Sequence, residues 1–191
     1  MSELVDKAIV FATEKHSGQV RKFYPTPYIL HPLEVAAIIA TMTIDESTIA
    51  AGILHDTVED CDVKPEEIRE LFGSRVYALV CSETEDKHPG RPASESWEDR
   101  KRDSLMTIEF TKDRSVKIMW LADKLSNIRS LYREYLKDGD NIWLQLNQKD
   151  KSKQEWYYRT IEYHLRDLSD TAAYREFTML TDLLFGGKEN G

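Results

Sequence analysis

The sequence predicts an all-α protein, and three observations carry that expectation. Apolar residues recur three and four positions apart along most of the chain, the spacing of one helical face. No run of alternating β-branched residues appears, as a half-buried strand would require. Only 8 Gly and 6 Pro interrupt the 191 residues, and there is no repeat or low-complexity tract.

Each element follows from local pattern. Leu4, Ala8, Phe11 and Ala12 line one face of a first helix. Gly18, Pro25 and Pro27 mark the stretch from His16 to His31 as a loop. Pro32 suits a helix start, and Val35, Ile38, Ile39 and Met42 continue an apolar face from it. Asp45 or Ser47 caps a third helix, whose Ile49–Leu54 segment is apolar almost all round and therefore belongs at the centre of the protein. Pro65 opens a short helix with Ile68, Leu71 and Phe72 inside, closed by Gly73; Val76, Leu79 and Val80 make another. A polar loop from Glu85 to Ser96 contains Pro89, Gly90 and Pro92. Ser96 and Asp99 then resemble a capping box for a helix through Leu105, Ile108 and Phe110. A long helix covers Val116 to Tyr135 and ends near Gly139, and the last two helices run from Trp156 to Leu168 and from Tyr174 to Leu184.

Apolar residues at 41% suffice for one buried core, and 191 residues is the size of one domain, so residues 1–191 are expected to form a single unit. Acids outnumber bases 34 to 26, a formal charge of -8. That balance argues against a surface that tracks nucleic acid, because neutralising a phosphate backbone needs a basic face. It leaves room for a small anion in a local basic pocket. Cys61 and Cys81 are too few for a disulfide scaffold or a cysteine zinc cluster, and Cys61 reads as a small filler. Met1 to His16 carries Glu3, Asp6 and Glu14, unlike a signal peptide, and the longest apolar runs are too short to span a bilayer. The expectation is a cytoplasmic protein with no membrane partner.

The stretch His55-Asp56-Thr57-Val58-Glu59-Asp60, at the end of the most apolar helix, carries the chemistry. Four ionisable groups within six residues are costly there unless paired or bound to a metal. Helical spacing puts His55 over Glu59 and Asp56 over Asp60; a solvated helix end is the plainer reading of the same residues. His31, at a helix start, and Asp123, within Ile118–Ala122, shift the balance, because an unpaired carboxylate in such a run would be expensive. His31, His55, Asp56 and Asp123 make a mixed nitrogen and oxygen set suited to a divalent transition metal, with positions left for water and substrate. Asn127 and Ser130 share the helical face of Asp123.

With His16–Lys22, Pro27–Pro32, Phe72-Gly73, Thr84–Lys87 and Ala122–Arg129 added, this order of motifs resembles the hydrolase domain of RelA/SpoT-type alarmone enzymes, in the HD superfamily of metal-dependent phosphohydrolases. The resemblance covers about residues 4–133 and implies an all-α HD-domain bundle with a buried metal site, completed by the helices of 152–186. No room remains after Leu184 for a synthetase domain, so the chain is expected to be similar to the stand-alone small alarmone hydrolases. The reaction implied is removal of the 3′-pyrophosphate of (p)ppGpp, giving GDP or GTP and pyrophosphate, with one Mn²⁺ per chain.

The resemblance also assigns roles. His31, His55, Asp56 and Asp123 would hold the metal, and Glu59 and Asp60 would orient or deprotonate the attacking water. Arg21 and Lys22 match the family's pair that lies against base and phosphates, although two surface cations are the ordinary reading. Asn127 and Ser130 are candidates for ribose or phosphate, with Ser130 standing where the family often has Thr. Lys101, within Arg100-Lys101-Arg102 beside Trp97, is a candidate for the 5′-phosphates, a solvated helix face being the alternative; Lys124 and Arg129 are further candidates. Trp156, Tyr157 and Tyr158 suit either base stacking or the core. The same site would serve a (p)ppApp or NADPH phosphohydrolase, or a catalytically silent nucleotide sensor. A sensor would be expected to lose a ligand or a base, and all six positions are present.

Overall fold

The computed structural model describes residues 3–85, 90, 92 and 95–186. Its helices are α1 (Glu3–Lys15), α2 (Leu30–Ile39), α3 (Glu46–Leu54), α4 (Thr57–Asp60), α5 (Pro65–Cys81), α6 (Trp97–Phe110), α7 (Arg114–Asp138), α8 (Lys151–His164) and α9 (Ala172–Phe185). Short 3₁₀ turns follow α7 at Gly139–Gln145 and α8 at Arg166–Leu168. Among the described residues no strand forms; Val20 and Pro27 make one isolated bridge. The all-α expectation holds.

The all-round apolarity of α3 puts it in the middle. Ala50, Ala51, Ile53 and Leu54 are buried, and α3 packs on α1, α2, α5 and α7. Fully burying each of its two large aliphatic side chains stabilises the fold by roughly 1.5–3 kcal/mol. Gly52 permits the close crossing with α2, since a Cβ there would meet Ile39 Cδ1 at 2.2 Å. Asp45 caps α3, its carboxylate accepting from the Ser47 and Thr48 amides; Ser47 is not the cap. Of α7's 25 residues, twelve are buried, and the helix touches α2, α3, α6 and α9. At 1.5 Å per residue it runs about 37 Å.

Several local expectations change. Gly73 does divide α5, at φ 87° and ψ 167°, a conformation L side chains resist. Leu71 is 38% exposed and Phe110 69% exposed, so neither lies inside. The Ser96 capping box does not form: Ser96 is already helical in φ and ψ, its hydroxyl donates to the Pro92 carbonyl, and it accepts from Arg100 Nε. The helix expected to start at Pro32 begins at Leu30. Most of the 85–96 loop, including Asp86 and Lys87 of the Thr84–Lys87 motif and Pro89, lies outside the described residues. No described helix is long and apolar enough to cross a membrane.

Candidate active site

His55 and Asp56 sit at the break between α3 and α4. The Asp60 amide still donates to the Asp56 carbonyl at 2.8 Å, so this part of the expected one-turn spacing survives although the helix does not run through. The break turns both side chains toward His31 on α2 and Asp123 on α7. His31 Nε2 lies 3.1 Å from Asp123 Oδ1 and 3.6 Å from Asp56 Oδ2. His55 Nε2 lies 2.9 Å from Asp56 Oδ2 and 3.7 Å from Asp123 Oδ1. All four expected metal residues therefore meet, and His31, His55 and Asp123 are buried.

The opposite ring nitrogens fix what this cluster can hold. His55 Nδ1 is 2.9 Å from the Gly52 carbonyl, which can only accept, so Nδ1 carries the proton. His31 Nδ1 is 2.8 Å from Ser126 Oγ, whose own hydrogen goes to Glu34 Oε2 at 2.8 Å, so His31 Nδ1 also donates. In the neutral rings both Nε2 lone pairs then point at carboxylate oxygens, and buried His55 Nε2 makes no hydrogen bond. Lone pairs facing lone pairs require a cation between them, either a proton or a metal. Ligand atoms of His31, His55 and Asp123 lie within 4.8 Å of one another, as a single divalent ion requires.

Electrostatics agree with that requirement. Burial pushes the His31 imidazole down, against the pull of Asp123. His55 is raised well above its usual value, because Asp56 and Asp123 outweigh the burial that opposes them. Asp56 and Asp123 are held below the usual carboxylate range; burial resists this, and His55 for Asp56, and Lys124 followed by His31 and His55 for Asp123, overcome it. Tyr28 donates to Asp56 Oδ2 at 2.7 Å, and Asn127 Nδ2 donates to Asp123 Oδ1 at 2.7 Å.

A cavity of about 240 Å³ opens on the cluster and is lined by the expected Glu59, Asp60, Lys101 and Asn127. Glu59 Oε2 accepts from the Glu85 amide. Arg100 and Lys101 both pair with Glu85, whereas Arg102 turns away to Glu98. Arg21, Lys22 and Ser130 lie instead in an adjoining cavity of about 230 Å³ that shares Asn127 with the first. Arg21 joins the two, donating to Asn127 Oδ1 and Ser130 Oγ at 3.4 and 3.3 Å. Arg129 is not at the site: it bridges Glu34 of α2 and Glu176 of α9. Tyr157 lines the first cavity and Tyr158 the second, while Trp156 stands edge-on to Trp97. The Cys61 sulfur lies 3.1 Å from His16 Nδ1.

Sequence reasoning missed Glu83, Tyr28 and Trp120. Both Glu83 carboxyl oxygens are buried without a hydrogen bond, as is Trp120 Nε1, and both residues line the first cavity. Burial, reinforced by Asp123, pushes the Glu83 carboxyl up to about 7. The signal was available: Glu83 follows the buried pair Leu79-Val80 by one helical turn, as Asp123 follows its own apolar run.

The HD domain family model matches residues 8–150, three quarters of the chain. The chain belongs to the HD domain family. Among curated relatives, the HD protein is 41% identical over 131 residues to the guanosine-3′,5′-bis(diphosphate) 3′-pyrophosphohydrolase of Aquifex aeolicus, covering 69% of this chain and 18% of that protein. It is 40% identical over 131 residues to a GTP pyrophosphokinase of Myxococcus xanthus, covering 68% and 17%. The chain thus spans less than a fifth of these curated relatives. Two solved structures match it over nearly their full length. One is a metazoan ortholog of SpoT described as hydrolysing ppGpp, with TM-score 0.73, 26% identity and coverage of 97% of this chain and 95% of that one. The other is lmo0812 of Listeria monocytogenes EGD-e, with TM-score 0.72, 29% identity and coverage of 82% and 99%. The RelA/SpoT-type resemblance of the motifs is thereby matched in sequence and in fold.

Proposed function

We propose that this HD protein removes the 3′-pyrophosphate of (p)ppGpp by metal-dependent hydrolysis, giving GDP or GTP and pyrophosphate, with one Mn²⁺ per chain held by His31, His55, Asp56 and Asp123. The observation that carries the reading is the pair of buried imidazole Nε2 lone pairs turned on two carboxylates, with Glu59 and Asp60 on the same cavity. The names of the Aquifex relative and the metazoan structural neighbour point to the same substrate. Imidazole and carboxylate donors suit Mn²⁺, and a divalent ion there supplies Lewis acidity to a phosphate oxygen and makes water easier to deprotonate.

The remaining steps fall to the chain's own residues. Glu59 and Asp60 orient the attacking water and take its proton. The water oxygen forms a bond to the phosphorus attached at the ribose 3′-oxygen, the phosphorus–3′-oxygen bond breaks, and the proton ends on that oxygen. Lys101, held by Glu85 over the Tyr157 ring, and Asn127 face the phosphates and ribose. Arg21, Lys22 and Ser130 take the nucleoside in the adjoining cavity. Residues 1–191 act as one HD domain, with the helices of 152–186 completing the bundle.

The test is to incubate the purified protein with ppGpp, ppApp or NADPH, with Mn²⁺ or with EDTA, and to identify the products. Pyrophosphate and GDP from ppGpp, lost with EDTA and in Asp60→Ala, is the expected result. Metal binding without turnover of any of the three would replace the hydrolase with a nucleotide sensor.

A further inference from the structure

The second cavity has two chemically distinct sides. Phe23, Leu131, Leu146 and Tyr158 give it apolar walls, and Arg21 and Lys22 give it cations. Gln154, one turn before Tyr158 on α8, lines it too and is only 7% exposed. Its Nε2 donates to the Gln148 carbonyl at 2.9 Å. A carbonyl oxygen can only accept, so this contact settles which end of the amide is which. Oε1 has no hydrogen-bond partner among the described residues. That oxygen is therefore free to accept a hydrogen bond from a molecule in the cavity.

We propose that Gln154 is a specificity-determining residue, whose Oε1 reads the donor edge of a guanine base in this cavity while Lys22 meets its acceptor edge. The inference rests on the nucleotide-hydrolase reading and goes beyond it by naming the residue that sets its base preference. Guanine offers N1–H and the 2-amino group as donors, and O6 and N7 as acceptors. An adenine in the same pose sets a lone pair at N1 against Oε1, lacks the 2-amino group, and turns its 6-amino donor toward the Lys22 ammonium. Apolar walls suit either purine, so discrimination falls to these two polar contacts. A pair of this kind is worth about tenfold or more in discrimination.

The experiment compares kcat/KM of the Mn²⁺-loaded protein for the guanosine and adenosine 3′,5′-bis(diphosphates), in wild type and Gln154→Met. Calorimetric binding of GDP and ADP runs in parallel and needs no turnover. Wild type should favour guanine at least about tenfold in both assays. Gln154→Met should lose most of that preference through a higher KM for the guanosine substrate, with kcat little changed, because the base is remote from the reacting phosphorus. If Gln154→Met melts early, Gln154→Asn withdraws the amide by one methylene, and the preference must fall there too. Equal handling of the two bases by wild type, or an undiminished preference in a folded variant, overturns the inference. Preferential GDP binding without hydrolysis of either substrate would refute the hydrolase reading and leave Gln154 as the base reader.

Discussion

His31 and His55 are readied for a metal by what holds their other nitrogens. The His31–Ser126–Glu34 relay continues through Arg129 to Glu176, so the orientation of one imidazole is tied to α9. Such outer partners typically contribute 10–100-fold in metal affinity. Ser126→Ala should therefore weaken Mn²⁺ binding in calorimetry by about that factor with helix content unchanged, and unaltered affinity would remove the relay from the account. Glu83 supplies a pH signature of the metal-free protein. Its carboxyl rises from 4.5 to about 7 on folding, chiefly through burial. The folded state therefore holds the proton more tightly than the unfolded chain. The stability this proton supports is complete below about pH 4.5 and is lost as pH climbs toward 7, by up to about 3 kcal/mol. Denaturant melts of metal-free protein should show that decline, and Glu83→Gln should flatten it. That His31, His55, Asp56 and Asp123 meet, with Glu59 and Asp60 on the same cavity, was legible because their motifs stand in order with apolar flanks. Glu83 carried a local signal in the buried Leu79-Val80 pair one turn before it, whereas Tyr28 and Gln154 carried none, because their surroundings come from residues distant in sequence.

At the scale of elements, the α2–α3 crossing delivers His31 and His55 to one point. Gly52 matters there twice, through its missing Cβ and through the carbonyl that receives His55 Nδ1–H. Gly52→Ala should destabilise the fold by about 1–3 kcal/mol in urea unfolding, as overpacked cores do. It should also weaken metal binding by displacing α3; a variant of wild-type stability and affinity would show that the crossing is slack. Helix α7 delivers the other half of the site, with Asp123, Asn127 and Ser130 along one stripe. Periodicity made these helices readable. It could not place the break at His55–Asp56, since apolar spacing continues across it, nor exclude the Ser96 capping box, whose residue types were right but whose backbone is already helical. The 139–145 turn was hidden in a polar stretch that matched no motif, yet it buries Ile142 and Trp143.

For the whole molecule, the charge of -8 turns out to be concentrated in part where the chemistry lies. Six acidic side chains line the first cavity (Asp56, Glu59, Asp60, Glu83, Glu85 and Asp123) against the three basic groups Arg100, Lys101 and Lys124. A pocket positive by its own side chains is therefore not what the cluster provides, and on the proposed reading a polyanionic substrate would need the divalent ion for binding as well as for reaction. Removing the metal should raise the dissociation constant of ppGpp as well as stop turnover. The C-terminal helices belong to the same unit by this reading: α9 is pinned through Arg129–Glu176, and Phe177 and Leu184 are buried in the shared core. A 1–150 fragment should lose the cooperative melt of the full chain, and a fragment that melts as sharply would make α8 and α9 an appendage. The central claim is one metal ion driving release of pyrophosphate. Its most direct test titrates Mn²⁺ into EDTA-stripped protein and follows pyrophosphate release from ppGpp, for wild type and Asp123→Asn. Activity should rise from baseline to a plateau at one equivalent in wild type and stay at baseline in the variant. Full turnover by the stripped protein, or a variant that reaches the same plateau at one equivalent, would contradict it.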